Sequence, residues 1–144
     1  MGVKTGTGVI DAKKLCPDIR IIEARPELYV RYHHQIVAAV ESCIHVDNVM
    51  SIDEMACRLM GPEREPENAI AIGHKIKLSV KNVGETLRCS IGIAPNRLLA
   101  KVASDMMKPD GLTVIKLEDL PHKLYRSMLW RIIYGRREVR IYFL

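Results

Sequence analysis

Apolar residues recur along this chain with two periods, and the switches between them outline its elements. From Pro26, a residue suited to the first turn of a helix, Tyr29, Tyr32, Ile36, Val40 and Cys43 return at steps of three and four. That spacing makes one apolar stripe on a helix. His33 and His34 lie beside it and read as helix-surface residues. The period then changes to two: Ile44, Val46, Met50 and Ile52 fall on one side of a strand that ends near Ser51-Ile52-Asp53-Glu54. Met55, Cys57 and Leu59 alternate with Ala56 and Arg58 as a hairpin partner, ended by Gly61-Pro62. Pro66 opens a second helix presenting Ala69, Ile72, Ile76 and Val80, and Leu87, Cys89, Ile91 and Ile93 alternate again as a strand. Asn96 is placed to cap a third helix, with a stripe of Leu99, Val102, Ala103, Met106 and Met107. Pro109 stops that helix, Asp110-Gly111 turns the chain, and Leu112 to Ile115 reads as a short strand. Pro121 opens a last helical pattern through Leu124, Met128 and Ile132. Residues 1–25 are loop-like, apart from a short helical pattern from Asp11 to Leu15 that Pro17 stops.

This order predicts an α+β fold, an antiparallel sheet with helices packed on it. Composition agrees: 48% apolar residues supply a core, and 27% charged residues suit a soluble globular chain of 144 residues. No run approaches the roughly 18 apolar residues of a membrane span. Met1 to Gly6 carry no apolar stretch resembling a secretory signal, so a cytoplasmic location is expected. Cys16, Cys43, Cys57 and Cys89 are scattered without metal-ligand spacing, and the expectation is reduced, buried thiols rather than a zinc site. From Arg126 onward five arginines face one acid, Glu138, so this tail holds most of the net charge of +5. Such a segment can meet phosphates or be an ordinary solvated face.

Two places carry candidate chemistry. Asp53-Glu54 stands at the join of two strands, where both carboxylates can converge on one hard cation such as Mg²⁺. A dipeptide of this kind is also a common polar turn. Lys108 ends the third helix before Pro109, in a defined place from which an ammonium can reach a phosphate. Alternatively it complements the helix dipole, an effect of about 0.3–1 kcal/mol.

Ser51-Ile52-Asp53-Glu54, then Cys89 to Arg97 with Leu99-Ala100-Lys101, then Lys108-Pro109 with Gly111, resembles the signature series of the Y-family (DinB/UmuC-like) translesion DNA polymerases. Gly2 to Gly6, Ala12 to Pro17 and Tyr29 match that family in the same order, and the similarity covers residues 2 to about 120. The resemblance implies a ferredoxin-like palm over residues 26–115, a remnant of the fingers over 1–25 and the start of a thumb over 116–144. It implies that Asp53 and Glu54 hold metal as catalytic residues and that Lys108 contacts the incoming triphosphate. The implied chemistry is nucleotidyl transfer past damaged bases with two Mg²⁺ ions. Primer–template DNA and deoxynucleoside triphosphates would be the partners, with a sliding clamp possible for the parent protein.

The family pattern has an inner first strand bearing a further metal-binding aspartate, and a complete thumb; both are expected to be missing from this chain. Three expectations follow: a partial active site, unpaired strand edges that favour self-association, and a segment from Gly135 to Leu144 that is no thumb element. An interrupted reading frame would account for that segment, although Ile141 to Leu144 could pair with a strand edge. The alternative function is a non-catalytic damaged-DNA-binding or polymerase-interacting repair module.

Overall fold

A computed structural model of the protein describes residues 2–119 and 140–143. Helix α1 (Val9–Leu15) is followed by α2 (Pro26–Glu41), β1 (Val46–Val49), β2 (Met55–Arg58), α3 (Pro66–Val83), β3 (Ile91–Ala94), α4 (Arg97–Met106), β4 (Leu112–Val114) and β5 (Arg140–Phe143). Short 3-10 turns occupy Gly61–Arg64 and Leu117–Asp119. The strands form one sheet in the order β1-β2-β5-β3-β4. All neighbours run antiparallel except β3 and β4, which are parallel because α4 carries the chain back between them. Among the described residues no helix is long and apolar enough to cross a membrane.

The sheet is covered on both faces, which explains why β2 departs from simple alternation. Met55 and Cys57 join Ile91 and Ile93 in a core with Val40 of α2 and Ala69, Ile76 and Val80 of α3. Ala56 and Ala94 point the other way, into a cluster with Leu99, Ala100 and Ala103 of α4 and Ile115. Full burial of a large side chain in such a core contributes about 1.5–3 kcal/mol. Small residues at 56, 94, 100 and 103 keep α4 close to the sheet.

Several sequence expectations change in detail. Strand β1 stops at Val49, and Ser51 to Asp53 form a bend, so Met50 and Ile52 are exposed rather than inward. The pairing of β1 with β2 shifts between Val46 and Asn48, and this irregularity turns the end of the strand. Tyr29 is exposed because only the second half of α2 packs on the core. On α4 the inward face is Leu99, Ala100, Ala103 and Ser104, while Met106 and Met107 are 54% and 60% exposed. The interior of the sheet is not left open: β5 lies between β2 and β3 and pairs with both, which corrects the expected unpaired edges there. The strand pairing of Ile141 to Phe143 is therefore realised. The helical pattern from Pro121 and most of the basic tail lie outside the described residues.

None of the four cysteines is in a disulfide. Burial pushes the Cys57 thiol up to about 12 and the Cys89 thiol up to about 11, from an ordinary 9.0. Above that ordinary value the unfolded chain releases protons that the folded chain keeps, so alkali favours unfolding. Stability from these two groups is whole below pH 9.0 and falls as pH rises toward 11 and 12. Urea midpoints are expected to be flat between pH 7 and 8.5 and to drop above that, and a maleimide should label half-buried Cys16 and Cys43 well before Cys57 and Cys89. Equal labelling rates for all four would contradict the burial described.

Candidate functional site

Helix α4 is set down on β3 by a glycine. A Cβ at Gly92 would overlap the carbonyl oxygen of Ala100, so only glycine lets the two backbones meet this closely. Asn96 caps the helix, its Oδ1 accepting from the Leu99 N–H at 2.9 Å. Lys101, Asp105 and Lys108 then follow at steps of four and three, and so share one side of the helix and its end.

That side carries a chain of charges. Lys101 Nζ donates to Glu54 Oε1 at 2.8 Å and lies 3.5 Å from Asp105 Oδ2. Lys108 Nζ pairs with Asp105 Oδ1 at 2.8 Å. Desolvation pushes the Asp105 carboxyl up, but the hydrogen bonds and charges of Lys108 and Lys101 outweigh it and hold the group below its ordinary value. Glu54 and Lys108, 54 residues apart in the chain, are thus joined through two intervening side chains.

Asp53 is placed differently. It sits in the exposed bend before β2, where its Oδ1 accepts from Ser51 Oγ at 2.7 Å. The Glu54 carbonyl closes the same bend by accepting from the N–H groups of Met50 and Ser51 at 2.8 and 3.2 Å. His33 of α2 reaches this loop, its Nδ1 2.7 Å from the Ile52 carbonyl oxygen, so it is a brace rather than a simple surface residue.

The turn holding Lys108 is fastened from the other side. The Lys108–Pro109 peptide is cis, Asp110 has a φ of 64°, and a Cβ at Gly111 would overlap the Met107 carbonyl oxygen. Lys77 of α3 donates to the carbonyls of Cys89 and Asp110 at 2.8 and 2.7 Å and to Asp110 Oδ1 at 2.5 Å. The Lys77 hydrogen bond is the main cause holding the Asp110 carboxyl below its ordinary value. Lys77 and Asp105 carry no role legible in the sequence, and Lys101 enters there only as part of the motif series. A lysine next to the Ile76 stripe and a Lys–Asp–Lys run at helical spacing were the available signals.

Strand register puts these parts at one end of the sheet. Met55 is opposite Phe143, Phe143 opposite Ile91, and Ile91 opposite Leu112. Asp53-Glu54 and Asp110-Gly111 therefore precede aligned residues, three strand spacings or about 14 Å apart. An apolar cleft of about 440 Å³ is elsewhere, lined by Arg64, Pro66 and Pro95 near the opposite end of β3. Among the described residues no three His, Cys, Asp or Glu side chains come together to hold a metal ion.

Residues 1–105 match the impB/mucB/samB family. DNA polymerase IV of Pelotomaculum thermopropionicum is 36% identical over 124 residues, which are 86% of this chain and 31% of that protein. The crystal structure of a DinB family error-prone DNA polymerase from Sulfolobus solfataricus superposes with a TM-score of 0.74 at 31% identity, over 82% of this chain and 35% of that one. The insertion ternary complex of Dbh DNA polymerase gives 0.69 at 29% identity, over 82% and 34%. The chain spans about a third of the length of these relatives. Its motifs, its sheet and its helices agree with one conclusion: the chain belongs to the impB/mucB/samB family, among the Y-family DNA polymerases.

Proposed function

We propose that this chain forms the palm, with part of the fingers, of a translesion DNA polymerase, and that primer–template DNA and deoxynucleoside triphosphates are its partners. The observation that carries this reading is the run Glu54–Lys101–Asp105–Lys108, which ties a cation-holding carboxylate to a phosphate-seeking lysine at one end of the sheet. Lys108 and Asp105 are each 46% exposed, and an ion pair that open is worth about 1 kcal/mol at most. A triphosphate carries several negative charges against one on the carboxylate, so it attracts the ammonium more strongly. Lys108 can therefore leave Asp105 when a triphosphate arrives, while Lys77 keeps the turn in place.

Asp53 and Glu54 are hard oxygen donors of the kind Mg²⁺ uses together with substrate phosphates. They fit one such ion in donor type, but not a two-ion centre: one Glu54 oxygen is engaged by Lys101, and no third carboxylate of the described residues joins them. Strand β5, in the sheet interior beside β2, reads Arg-Ile-Tyr-Phe and offers none. A bound divalent ion would neutralise triphosphate charge, and the rest of the reaction needs groups beyond Asp53 and Glu54. The relatives being polymerases, a non-catalytic repair module is the less favoured reading.

A chimera tests this. Residues 2–119 would replace the matching stretch of the Pelotomaculum polymerase, and the product, shown to be folded by circular dichroism, is expected to extend a primer with Mg²⁺. The 144-residue polypeptide alone is expected to show no extension. A folded, DNA-binding chimera without extension would overturn the proposal, and extension by the polypeptide alone would overturn the incomplete site.

A further inference from the structure

The charges along α4 are shared unequally. Lys101 Nζ sits closer to Glu54 Oε1, at 2.8 Å, than to Asp105 Oδ2, at 3.5 Å. Asp105 gives its other oxygen to Lys108, at 2.8 Å. Glu54 is thus neutralised by an ammonium of the protein itself while Asp105 is occupied from the end of the helix. An ammonium at that distance repels a second cation from the same carboxylate. Asp53 stands apart from these four side chains, its Oδ1 accepting from Ser51 Oγ.

Asp105 can exchange partners without any movement of the backbone. Lys101 and Asp105 are four residues apart on one face of α4, where side chains of opposite charge meet readily. The four side chains are between 26% and 46% exposed, so none is locked in a dry core. When Lys108 turns to a phosphate, Asp105 loses one of these two ammonium neighbours and draws the other, Lys101, toward itself. That shift uncovers Glu54 Oε1. We propose that Lys101 is a gate on Glu54, worked through Asp105, that screens the carboxylate from a divalent cation until Lys108 takes a triphosphate. Cation and triphosphate then bind cooperatively, each raising the affinity for the other by the same factor. The gate rests on the roles proposed above for Glu54 and Lys108, and it adds Lys101 and Asp105 as positioning residues.

Mn²⁺ titrations of the full chain, read by the electron paramagnetic resonance of the free ion, test the gate. Lys101→Met should tighten Mn²⁺ binding about three- to fivefold, the range of a partly exposed ion pair, and Glu54→Gln should cancel that gain. Lys108→Met should tighten binding and Asp105→Asn should weaken it, and neither should have an effect once Lys101 is replaced by Met. Persistence of both effects without Lys101 would mean through-space repulsion and overturn the gate. Unchanged affinity in Lys101→Met, with Glu54→Gln still weakening binding, would overturn it too. Mn²⁺ binding indifferent to Glu54→Gln would instead end the cation role of Glu54 itself. A second arm needs neither variant nor metal. With EDTA present, inorganic tripolyphosphate should shift the NMR signals of both the Lys108 side chain and the Glu54 carboxyl carbon in the wild-type chain. A shift at Lys108 without one at Glu54 would overturn the gate, and a shift at neither would overturn the phosphate contact on which it rests.

Discussion

Gly92→Ala is expected to remove most of the folding stability of this chain, with a loss of about 3 kcal/mol or more. The substitution adds one methyl group, but at a place where a strand and a helix touch through their backbones. The new Cβ would overlap the Ala100 carbonyl oxygen and lie 2.5 Å from the Ser104 nitrogen. Neither atom belongs to a side chain that can rotate away, so α4 itself would have to move off β3. That shift opens the cluster of Ala56, Ala94, Leu99, Ala100, Ala103 and Ile115, which has no large flexible side chain to refill the gap. A typical domain has only about 5–15 kcal/mol in total. Urea unfolding of the variant should show a much lower midpoint, or no cooperative transition. An unchanged midpoint would mean that α4 does not rest on β3 at Gly92.

The second large effect concerns chemistry, read in the chimera. Glu54→Gln keeps the shape of the side chain and its hydrogen-bonding oxygen but removes the charge. If Glu54 holds the divalent cation, kcat should fall about a hundredfold, equivalent to roughly 2.7 kcal/mol of transition-state stabilisation. If Glu54 were only the ion-pair partner of Lys101, the loss would be small, because both side chains are about 30% exposed (32% and 26%) and such a pair contributes at most about 1 kcal/mol. Lys108→Ala should behave differently. Loss of a ground-state phosphate contact raises KM for the nucleotide about tenfold with a smaller change in kcat. Activity of Glu54→Gln within threefold of the parent would end the proposed role of Glu54, and an unchanged KM in Lys108→Ala would end that of Lys108.

Much of the fold was legible because it is encoded locally. Helices α2, α3 and α4 follow the three- and four-residue spacing of their apolar residues, and Asn96 caps α4 as its side chain allows. Strand β3 was harder to delimit. Leu87 and Cys89 continue its alternation, yet the ladder begins only at Ile91, where β4 and β5 supply partners. Met106 and Met107 looked inward by periodicity, but α4 ends there and the chain turns away, so among the described residues both stay more than half exposed. Of the candidate site, Asp53, Glu54 and Lys108 could be named from their motifs. Their supports could not, since a lysine reaching 47 residues along the chain to Glu54 leaves no periodic trace.

By itself the sequence determined helices α2, α3 and α4, the two hairpin strands, the cap, the turn at Asp110-Gly111 and the family. Each depends on residues within a few positions of one another, or on an ordered series of short motifs. The tertiary structure alone decided that β4 runs parallel to β3, that Lys77 clamps the turn beside Lys108, and that the last described strand fills the middle of the sheet. These outcomes rest on hydrogen bonds between distant segments. Backbone groups are nearly the same in every residue, so the partner of a strand is chosen by which buried walls remain unpaired once the rest has packed.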